Sequence, residues 1–287
     1  MAASFRSVFR DGLLAGQAGI VTGAGSGIGR CTAHELAALG ARVALVGRKA
    51  EKLQAVAREI AEAGGSASCY TADIREEEQV RETVRAALAD FGRLDFLVNN
   101  AGGQFIAPLE TISAKGWDSV LRTNLSGGFL FAREVYVQWM KQHRGGAIVN
   151  MIAEMWNGMP YMGHSGAARA GMLNFTETAA LEWAPVRVNA VAPGWIASSG
   201  LDRYPPEMRD TIRALPKKVP LGRLGTESEV SAAIVFLLSP AAAFISGSWI
   251  RIDGAVPNVK SSYPLAARGT TTAFDGFHLA VKPDVLK

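Results

Sequence analysis

AGIVTGAGSGIG, residues 18–29, is the stretch that decides the fold. Its first five residues form an apolar, β-branched run, which predicts a buried strand ending at Thr22. Gly23, Gly27 and Gly29 follow at once and open a segment of helical period. Glycines in such a turn let backbone N–H groups approach a phosphate, and the helix that begins there adds favourable partial charge. The stretch therefore predicts a nucleotide-binding α/β domain.

The rest of the chain alternates between short apolar runs and longer segments of helical period. Strands are predicted at Ala18–Thr22, Arg42–Val46, Ser68–Thr71, Phe96–Val98, Ala147–Ile152, Arg187–Val191 and Ser248–Ile252. Helices are predicted at Ile28–Leu39, Glu51–Ala63, Glu76–Phe91, Trp117–His143, Gly163–Trp183 and Glu227–Leu238. Apolar strands that alternate with helices indicate a parallel sheet covered on both faces. Right-handed crossovers then give a single-domain, Rossmann-type, doubly wound α/β sheet.

The length of 287 residues suits one large domain rather than two. We expect an N-terminal arm at residues 1–13, the domain at 14–255 and a tail at 256–287. Residues 195–223 are rich in proline and interrupt the alternation, which predicts a mobile loop covering a substrate. For the tail two readings stay open: it folds over a neighbouring subunit, or it is poorly ordered.

Composition excludes several classes of function. No apolar run approaches the ~20 residues of a membrane span, and the N-terminus has no continuous apolar segment, so we expect neither a membrane partner nor a secretory signal. The net charge of +4 suits a phosphorylated ligand, but no block of Lys and Arg suggests nucleic acid. Cys31 and Cys69 are isolated, which predicts no metal site and fits a reducing cytoplasm.

Further motifs occur at consistent intervals along the chain, including Asn99-Asn100-Ala101-Gly102, Thr123-Asn124-Leu125 and Pro193-Gly194-Trp195-Ile196. With the Gly-x-x-x-Gly-x-Gly spacing, they resemble the motifs of the short-chain dehydrogenase/reductase family from about Leu14 to Ala255. The resemblance implies a nicotinamide dinucleotide cofactor and a homotetramer built through the Trp117–His143 and Gly163–Trp183 helices. The cofactor residues it implies are Gly23, Gly25, Ser26, Gly27, Ile28, Gly29, Asp73, Ile74, Asn100, Ala101, Gly102, Arg169, Pro193, Gly194 and Ile196.

Charge at the end of the second strand indicates which cofactor is bound. An NAD enzyme ends that strand with a carboxylate for the ribose diol, whereas this chain has Gly47 followed by Arg48 and Lys49. A guanidinium can meet a 2′-phosphate bidentately, while a carboxylate would repel it. We therefore expect NADP(H), with Arg48 and Lys49 at the 2′-phosphate.

The family's catalytic pair is altered. Its Tyr-x-x-x-Lys motif supplies a proton and binds the ribose, and Ala-Gly normally follows the lysine. Counting back from Ala170-Gly171 places Ser165 at the tyrosine position and Arg169 at the lysine position. Arg169 keeps the positive charge but cannot shuttle protons, and Ser165 is a very poor acid. Losing a positioned general acid typically costs about 10²–10⁴-fold in rate.

Reduction of a carbonyl suffers most from this loss, because its alkoxide needs a proton at once. Hydride added to C3 of an enoyl thioester instead gives an enolate, which hydrogen-bond donors alone can stabilise. The segment His164–Gly171 also resembles that of the peroxisomal trans-2-enoyl-CoA reductases. Mitochondrial 2,4-dienoyl-CoA reductases likewise carry serine at the tyrosine position, but their compensating tyrosine corresponds to Glu154 here. The expected substrate is therefore an enoyl-CoA or dienoyl-CoA thioester.

Candidate donors in the catalytic site are Asn124, Ser165, Tyr161 and Glu154, together with the Arg169 cation. Tyr161 points into the pocket if the helix starts early, or else packs against the loop above it. Glu154 is either a donor or a solvated charge at a strand end, and His164 is either a donor or a packing residue.

Two other functions stay open. One is an alcohol or aldehyde dehydrogenase acting on acyclic terpenoids of the citronellol type. Segments such as Ala192–Ser199 resemble the corresponding segments of bacterial dehydrogenases of that type. The other is an NADP-binding subunit without turnover.

Overall fold

The computed structural model describes residues 4–259 and 269–287. Seven parallel strands form one sheet in the order β3-β2-β1-β4-β5-β6-β7. The strands are β1 (Ala18–Thr22), β2 (Arg42–Gly47), β3 (Ser66–Thr71), β4 (Phe96–Asn99), β5 (Ala147–Met151), β6 (Arg187–Pro193) and β7 (Trp249–Ile252). The order reverses between β1 and β4, and a crevice opens at the carboxyl ends of strands where this happens. The predicted Rossmann-type fold is confirmed.

Helices cover both faces of the sheet. They are α1 (Gly27–Ala38), α2 (Ala50–Glu62), α3 (Glu77–Phe91), α4 (Ala114–Leu121), α5 (Gly127–Val135), α6 (Lys141–His143), α7 (Gly163–Glu182), α8 (Arg209–Ala214) and α9 (Glu227–Leu238). The predicted helix over 117–143 is interrupted by two π-helical turns, Arg122–Ser126 and Tyr136–Met140. Such turns occur frequently at functional sites. The first of them carries Asn124.

The core is divided by the sheet into two layers. One layer packs α1 and α9 against the sheet around side chains such as Leu36, Phe96 and Ile234. The other packs α3 and α5 around Val84, Leu97 and Phe131. The edge strands β3 and β7 contain no fully buried residue, and exposed residues alternate with half-buried ones in β7. β3 starts at Ser66, two residues before the predicted start at Ser68. The prediction was too short because this strand lacks the continuous apolar run of a buried strand.

Residues 195–223, the covering loop, have regular structure of their own. They contain α8 and three single 3-10 turns, and their buried side chains other than Ile196 belong to a separate cluster. Leu201, Ile212 and Leu215 are the centre of that cluster, and Val285 from the far end of the chain joins it. The loop is thus held in place by packing as well as by its ends.

The described part of the tail, residues 269–287, packs against its own chain, and we call it the C-terminal strap. The N–H groups of Gly276 and Phe277 both donate to Ser228 Oγ, at 3.2 and 3.1 Å. The Arg6 N–H of the N-terminal arm donates to the Gly276 carbonyl at 2.9 Å. Residues 260–268 of the predicted tail and 1–3 of the arm lie outside the described residues. No helix in residues 4–259 or 269–287 combines the length and apolar character needed to cross a membrane.

Candidate active site

The glycine-rich turn after β1 requires glycine at particular positions. Gly23 and Gly27 have positive φ angles of 67° and 60°. A Cβ on Gly29 would lie 2.4 Å from both Asn100 Nδ2 and the Gly23 carbonyl oxygen. The Ser26 side chain at the start of α1 caps none of the helix amides. The first amides of α1 are therefore not capped by this side chain, and uncapped amides at a helix N-terminus are a feature of phosphate sites.

The end of β4 is fastened to this turn. Thr22 Oγ1 accepts hydrogen bonds from the N–H groups of Asn100 and Ala101, each at 3.0 Å. Asn100 Nδ2 donates to the Thr22 carbonyl at 2.9 Å. These bonds fix the two sides of the crevice at the point where the strand order reverses, so the predicted residues of both motifs lie together.

Two cations follow β2. Arg48 and Lys49 are exposed, and neither forms a salt bridge with any residue that the structure describes. Asp73, just beyond the neighbouring strand β3, is bound by Arg75, whose Nη2 lies 2.5 Å from its Oδ2. The hydrogen bonds from Arg75, with a smaller contribution from the Arg48 charge, hold the pKa of Asp73 below its usual value. This end of the crevice is consequently rich in positive charge.

Ser165 and Arg169 are both buried and lie one turn apart on α7. Ser165 Oγ donates to Gln104 Oε1 at 3.0 Å. Arg169 Nη1 donates to the Met151 carbonyl at 2.5 Å, whereas its Nε has no partner among the described residues. Burial lowers the pKa of Arg169 to about 10. The guanidinium is therefore charged at neutral pH, and no carboxylate in the described part of the chain pairs with it.

Asn124 connects this pair to the turn after β4. Its Oδ1 accepts from the Gly103 N–H at 2.9 Å, and its Nδ2 donates to the Gly103 carbonyl at 3.0 Å. Arg169 Nη2 lies 3.5 Å from the same Asn124 oxygen. A Cβ on Gly102 would lie 2.4 Å from that Nη2 atom, so the guanidinium occupies the space that glycine leaves. Asn124, Gly102 and Arg169 therefore pack against one another.

The other two candidate donors are Tyr161 and Glu154. Tyr161 precedes α7 with a positive φ of 63°, and 61% of its surface is exposed. Glu154 is half-buried, and its pKa is raised by burial and then by the nearby Asp253 charge. Within residues 4–259 and 269–287, no hydrogen bond joins either side chain to Ser165 or Arg169. Tyr161 and Glu154 stay predictions without a contact to support them.

His164 is fully buried beside Ser165. Its Nδ1 accepts from the Ser165 N–H at 2.9 Å, and its ring meets Phe105 edge-on with centroids 4.4 Å apart. Its Nε2 has no partner in the part of the chain that the structure describes. His164 therefore helps to fix the first turn of α7 and packs on the loop that carries Gln104.

Two residues at the site were not identified from the sequence. Gln104 follows the Asn-Asn-Ala-Gly-Gly turn directly, and its amide contacts both Ser165 and Tyr204. Gln104 Nε2 donates to the Tyr204 hydroxyl at 3.4 Å. The position of Gln104 next to a cofactor motif was an available signal. Tyr204 carried none, because the conformation of the covering loop alone brings it there.

Comparison with known proteins finds relatives that match most of this chain. A family model described as enoyl-(acyl carrier protein) reductase matches residues 23–256. A Bacillus subtilis protein named "Probable 2,4-dienoyl-CoA reductase" is 38% identical over 239 residues, covering 82% of this chain and 94% of its own. The solved citronellol catabolism dehydrogenase (AtuB) of Pseudomonas aeruginosa PAO1 is 62% identical, with a TM-score of 0.79, covering 88% of this chain and 99% of its own. A Beutenbergia cavernae structure, described as an NAD(P)-dependent gluconate 5-dehydrogenase with NADP at low occupancy, is 35% identical with a TM-score of 0.80, covering 86% of this chain and 98% of its own.

Proposed function

Because the chain belongs to the short-chain dehydrogenase/reductase family, we propose that it is an NADPH-dependent reductase of enoyl-CoA or dienoyl-CoA thioesters. Hydride is delivered to the activated double bond. The observation that carries this proposal is the buried pair Ser165 and Arg169, in the place of the family's acid and its lysine. Among the relatives, the protein named 2,4-dienoyl-CoA reductase supports the same chemistry.

The described residues fit a nicotinamide dinucleotide on two observations. The glycine-rich turn leaves space and open amides where a pyrophosphate would lie. Arg169, buried without a counter-ion, has an Nε–H that hydroxyls of the nicotinamide ribose could satisfy. The group would supply the hydride when bound. The exposed Arg48 and Lys49 favour the phosphorylated form, since their charges would meet a 2′-phosphate.

The polar groups of the site suit an enolate better than an alkoxide. An enolate spreads its charge onto the thioester oxygen and needs no proton there at once. The Ser165 hydroxyl can donate a hydrogen bond to that oxygen after exchanging its Gln104 partner. The Arg169 charge one turn away favours any anion in the crevice. Protonation of C2 is then a separate step.

The proposal is tested by NADPH oxidation with a series of thioesters from crotonyl-CoA to decenoyl-CoA, run beside free aldehydes of matched length. We expect turnover of the thioesters and rates at least about 10²-fold lower with the aldehydes, because carbonyl reduction needs an acid at the family's tyrosine position, where this chain has Ser165. No turnover at any thioester chain length would overturn the proposal. So would tight NADPH binding without hydride transfer, which would instead indicate a cofactor-binding subunit.

A second candidate function is an alcohol or aldehyde dehydrogenase on acyclic terpenoids. The observation that favours it is the identity of 62% with the citronellol catabolism dehydrogenase of Pseudomonas aeruginosa. The same assay separates the two functions when citronellal with NADPH, and citronellol with NADP⁺, are added to the substrate panel. Faster turnover of these compounds than of any thioester would reverse the order.

We also propose that the chain forms a homotetramer. α5, the second π-helical turn and α7 carry the exposed apolar residues Phe129, Val137 and Leu181. Exposed apolar side chains on neighbouring helices are typical of subunit interfaces. The helices are those that the family resemblance assigns to assembly.

A further inference from the structure

The covering loop is joined to the buried serine by a chain of two hydrogen bonds. Ser165 Oγ donates to Gln104 Oε1 at 3.0 Å, and Gln104 Nε2 donates to the Tyr204 hydroxyl at 3.4 Å. The Gln104 amide thus lies between a hydroxyl on α7 and a phenol on the loop. A phenol therefore lies close to the site, although the tyrosine position of the family motif holds serine.

The direction of these bonds leaves the phenolic proton free. The Tyr204 oxygen accepts from Gln104, and in the described residues its own O–H has no acceptor. Ser165, by contrast, directs its proton at Gln104. Of the two hydroxyls, only the phenol can donate without first breaking a bond, and a phenol is a far stronger acid than an alcohol.

Packing holds Tyr204 in this position. It follows the 3-10 turn Leu201–Arg203, and Pro205 and Pro206 restrict the backbone immediately after it. Leu201 is buried in the covering-loop cluster, and Asp202 Oδ1 accepts from the Val285 N–H at 2.9 Å. The loop and the C-terminal strap together therefore fix where the phenol lies.

We propose that Tyr204 is the proton donor of the reaction, a role that rests on the proposed function. Hydride forms the new C3–H bond, and the π electrons of the C2=C3 bond move onto the thioester as an enolate. The Tyr204 O–H bond then breaks, its proton forms the C2–H bond, and the tyrosinate regains a proton from water. The thioester is reduced by two electrons and NADPH is oxidised to NADP⁺. Gln104 is a positioning residue, since it acts through Tyr204.

Tyr204→Phe tests the role, because it removes one hydroxyl and keeps the ring in the loop cluster. We expect kcat on the best thioester to fall about 10²-fold, within the usual range for a general acid. The KM for NADPH should change little, and the solvent deuterium isotope effect on kcat should change because another donor takes over the proton step. Tyr70→Phe is the matched control and should leave kcat unchanged, since Tyr70 lies on the edge strand β3 and its hydroxyl donates to Asp90 of α3.

Gln104→Ala is a second, independent test of this role. It removes both hydrogen bonds of the Gln104 amide and leaves the Tyr204 phenol in the protein. We expect a smaller loss in kcat and a larger rise in thioester KM than in Tyr204→Phe. A Tyr204→Phe rate within threefold of the wild type, with the wild type active, overturns the proton-donor role alone. A wild type that reduces aldehydes but no thioester overturns the proposed function. Tyr204→Phe then reports whether Tyr204 delivers the proton to the alkoxide. A wild type without any turnover contradicts both.

Discussion

Arg169 is a cation inside the protein without a carboxylate to balance it. Its guanidinium is held by the Met151 carbonyl and lies near Asn124 Oδ1. Burying a charge in this way costs stability unless a partner compensates it. Arg169 also lies against Gly102, in the turn after β4. A buried charge that costs stability at this place is best explained by a ligand that binds it.

Replacing Arg169 should therefore separate activity from stability. We expect Arg169→Met to lower kcat/KM at least about 10²-fold and to weaken NADPH binding, while the urea midpoint stays at or above the wild-type value. Arg169→Lys, the control, restores the family's residue and should keep most of the NADPH affinity. Fluorescence titration with NADPH and urea unfolding measure the two effects. A variant that loses stability but keeps NADPH affinity would contradict the assignment.

Arg48 should decide between the two nicotinamide cofactors. Arg48→Asp places a carboxylate where a 2′-phosphate would bind, so we expect the KM for NADPH to rise at least about tenfold, equivalent to 1.4 kcal/mol. The KM for NADH should change much less. Steady-state kinetics with both cofactors measure this, with the exposed Arg58→Asp on α2 as a charge-matched control. Equal effects on both cofactors would remove the argument for NADP(H).

At the scale of elements, the apolar period predicted most of the sheet and its helices. β1 and α9 match the predicted bounds to the residue, because both are short, apolar and bounded by clear turn signals. The π-helical turn that carries Asn124 was not predicted, since no sequence motif distinguishes a single turn of this kind from the α-helix on either side. The short helix in the covering loop was also missed, because prolines conceal its period.

The start of α9 contains a carboxyl group that should make stability depend on pH. Burial raises the pKa of Glu227 to about 7 in the folded protein, from an ordinary value of 4.5. Between these two values the folded state holds a proton that the unfolded state has lost, so stability falls as pH rises. We expect Glu227→Gln to be more stable than the wild type at pH 8, by about 1–3 kcal/mol, and to show little difference at pH 4.5.

Urea unfolding across this pH range measures the effect. Glu62→Gln, at the exposed end of α2, serves as the control and should follow the wild type throughout. A parallel dependence on pH in Glu227→Gln and the wild type would show that Glu227 ionises freely in the folded protein.

The C-terminal strap should control the covering loop. Val285 is buried among Leu201 and Ile212, and its carbonyl accepts from Arg213 Nε at 3.0 Å. Deleting residues 284–287 removes this contact, worth on the order of 1–2 kcal/mol, and should raise the thioester KM by about tenfold. NADPH affinity should not change. Trypsin should cut the loop faster in the deletion than in Lys287→Ala, which loses only an exposed ion pair. Identical digestion of the two variants would show that the strap does not hold the loop.

At the scale of the whole molecule, the site is assembled from the carboxyl ends of strands on both sides of the strand reversal. Motifs with fixed spacing predicted which turns lie together there, because each motif builds a local turn next to a strand. The contact between Gln104 and Tyr204 joins residues 100 positions apart and depends on how the covering loop folds. That contact has no local signature, which is why the sequence predicted a missing acid and not its proposed substitute.

The central claim is that this chain reduces a conjugated thioester rather than a carbonyl. Its most direct test is the transfer of label from NADPH deuterated at C4 to trans-2-decenoyl-CoA, read by mass spectrometry of the saturated product. We predict one deuterium at C3 and a hydrogen from solvent at C2. Absence of label at C3, with deuterium instead at the carbonyl carbon of an added aldehyde, would contradict the account.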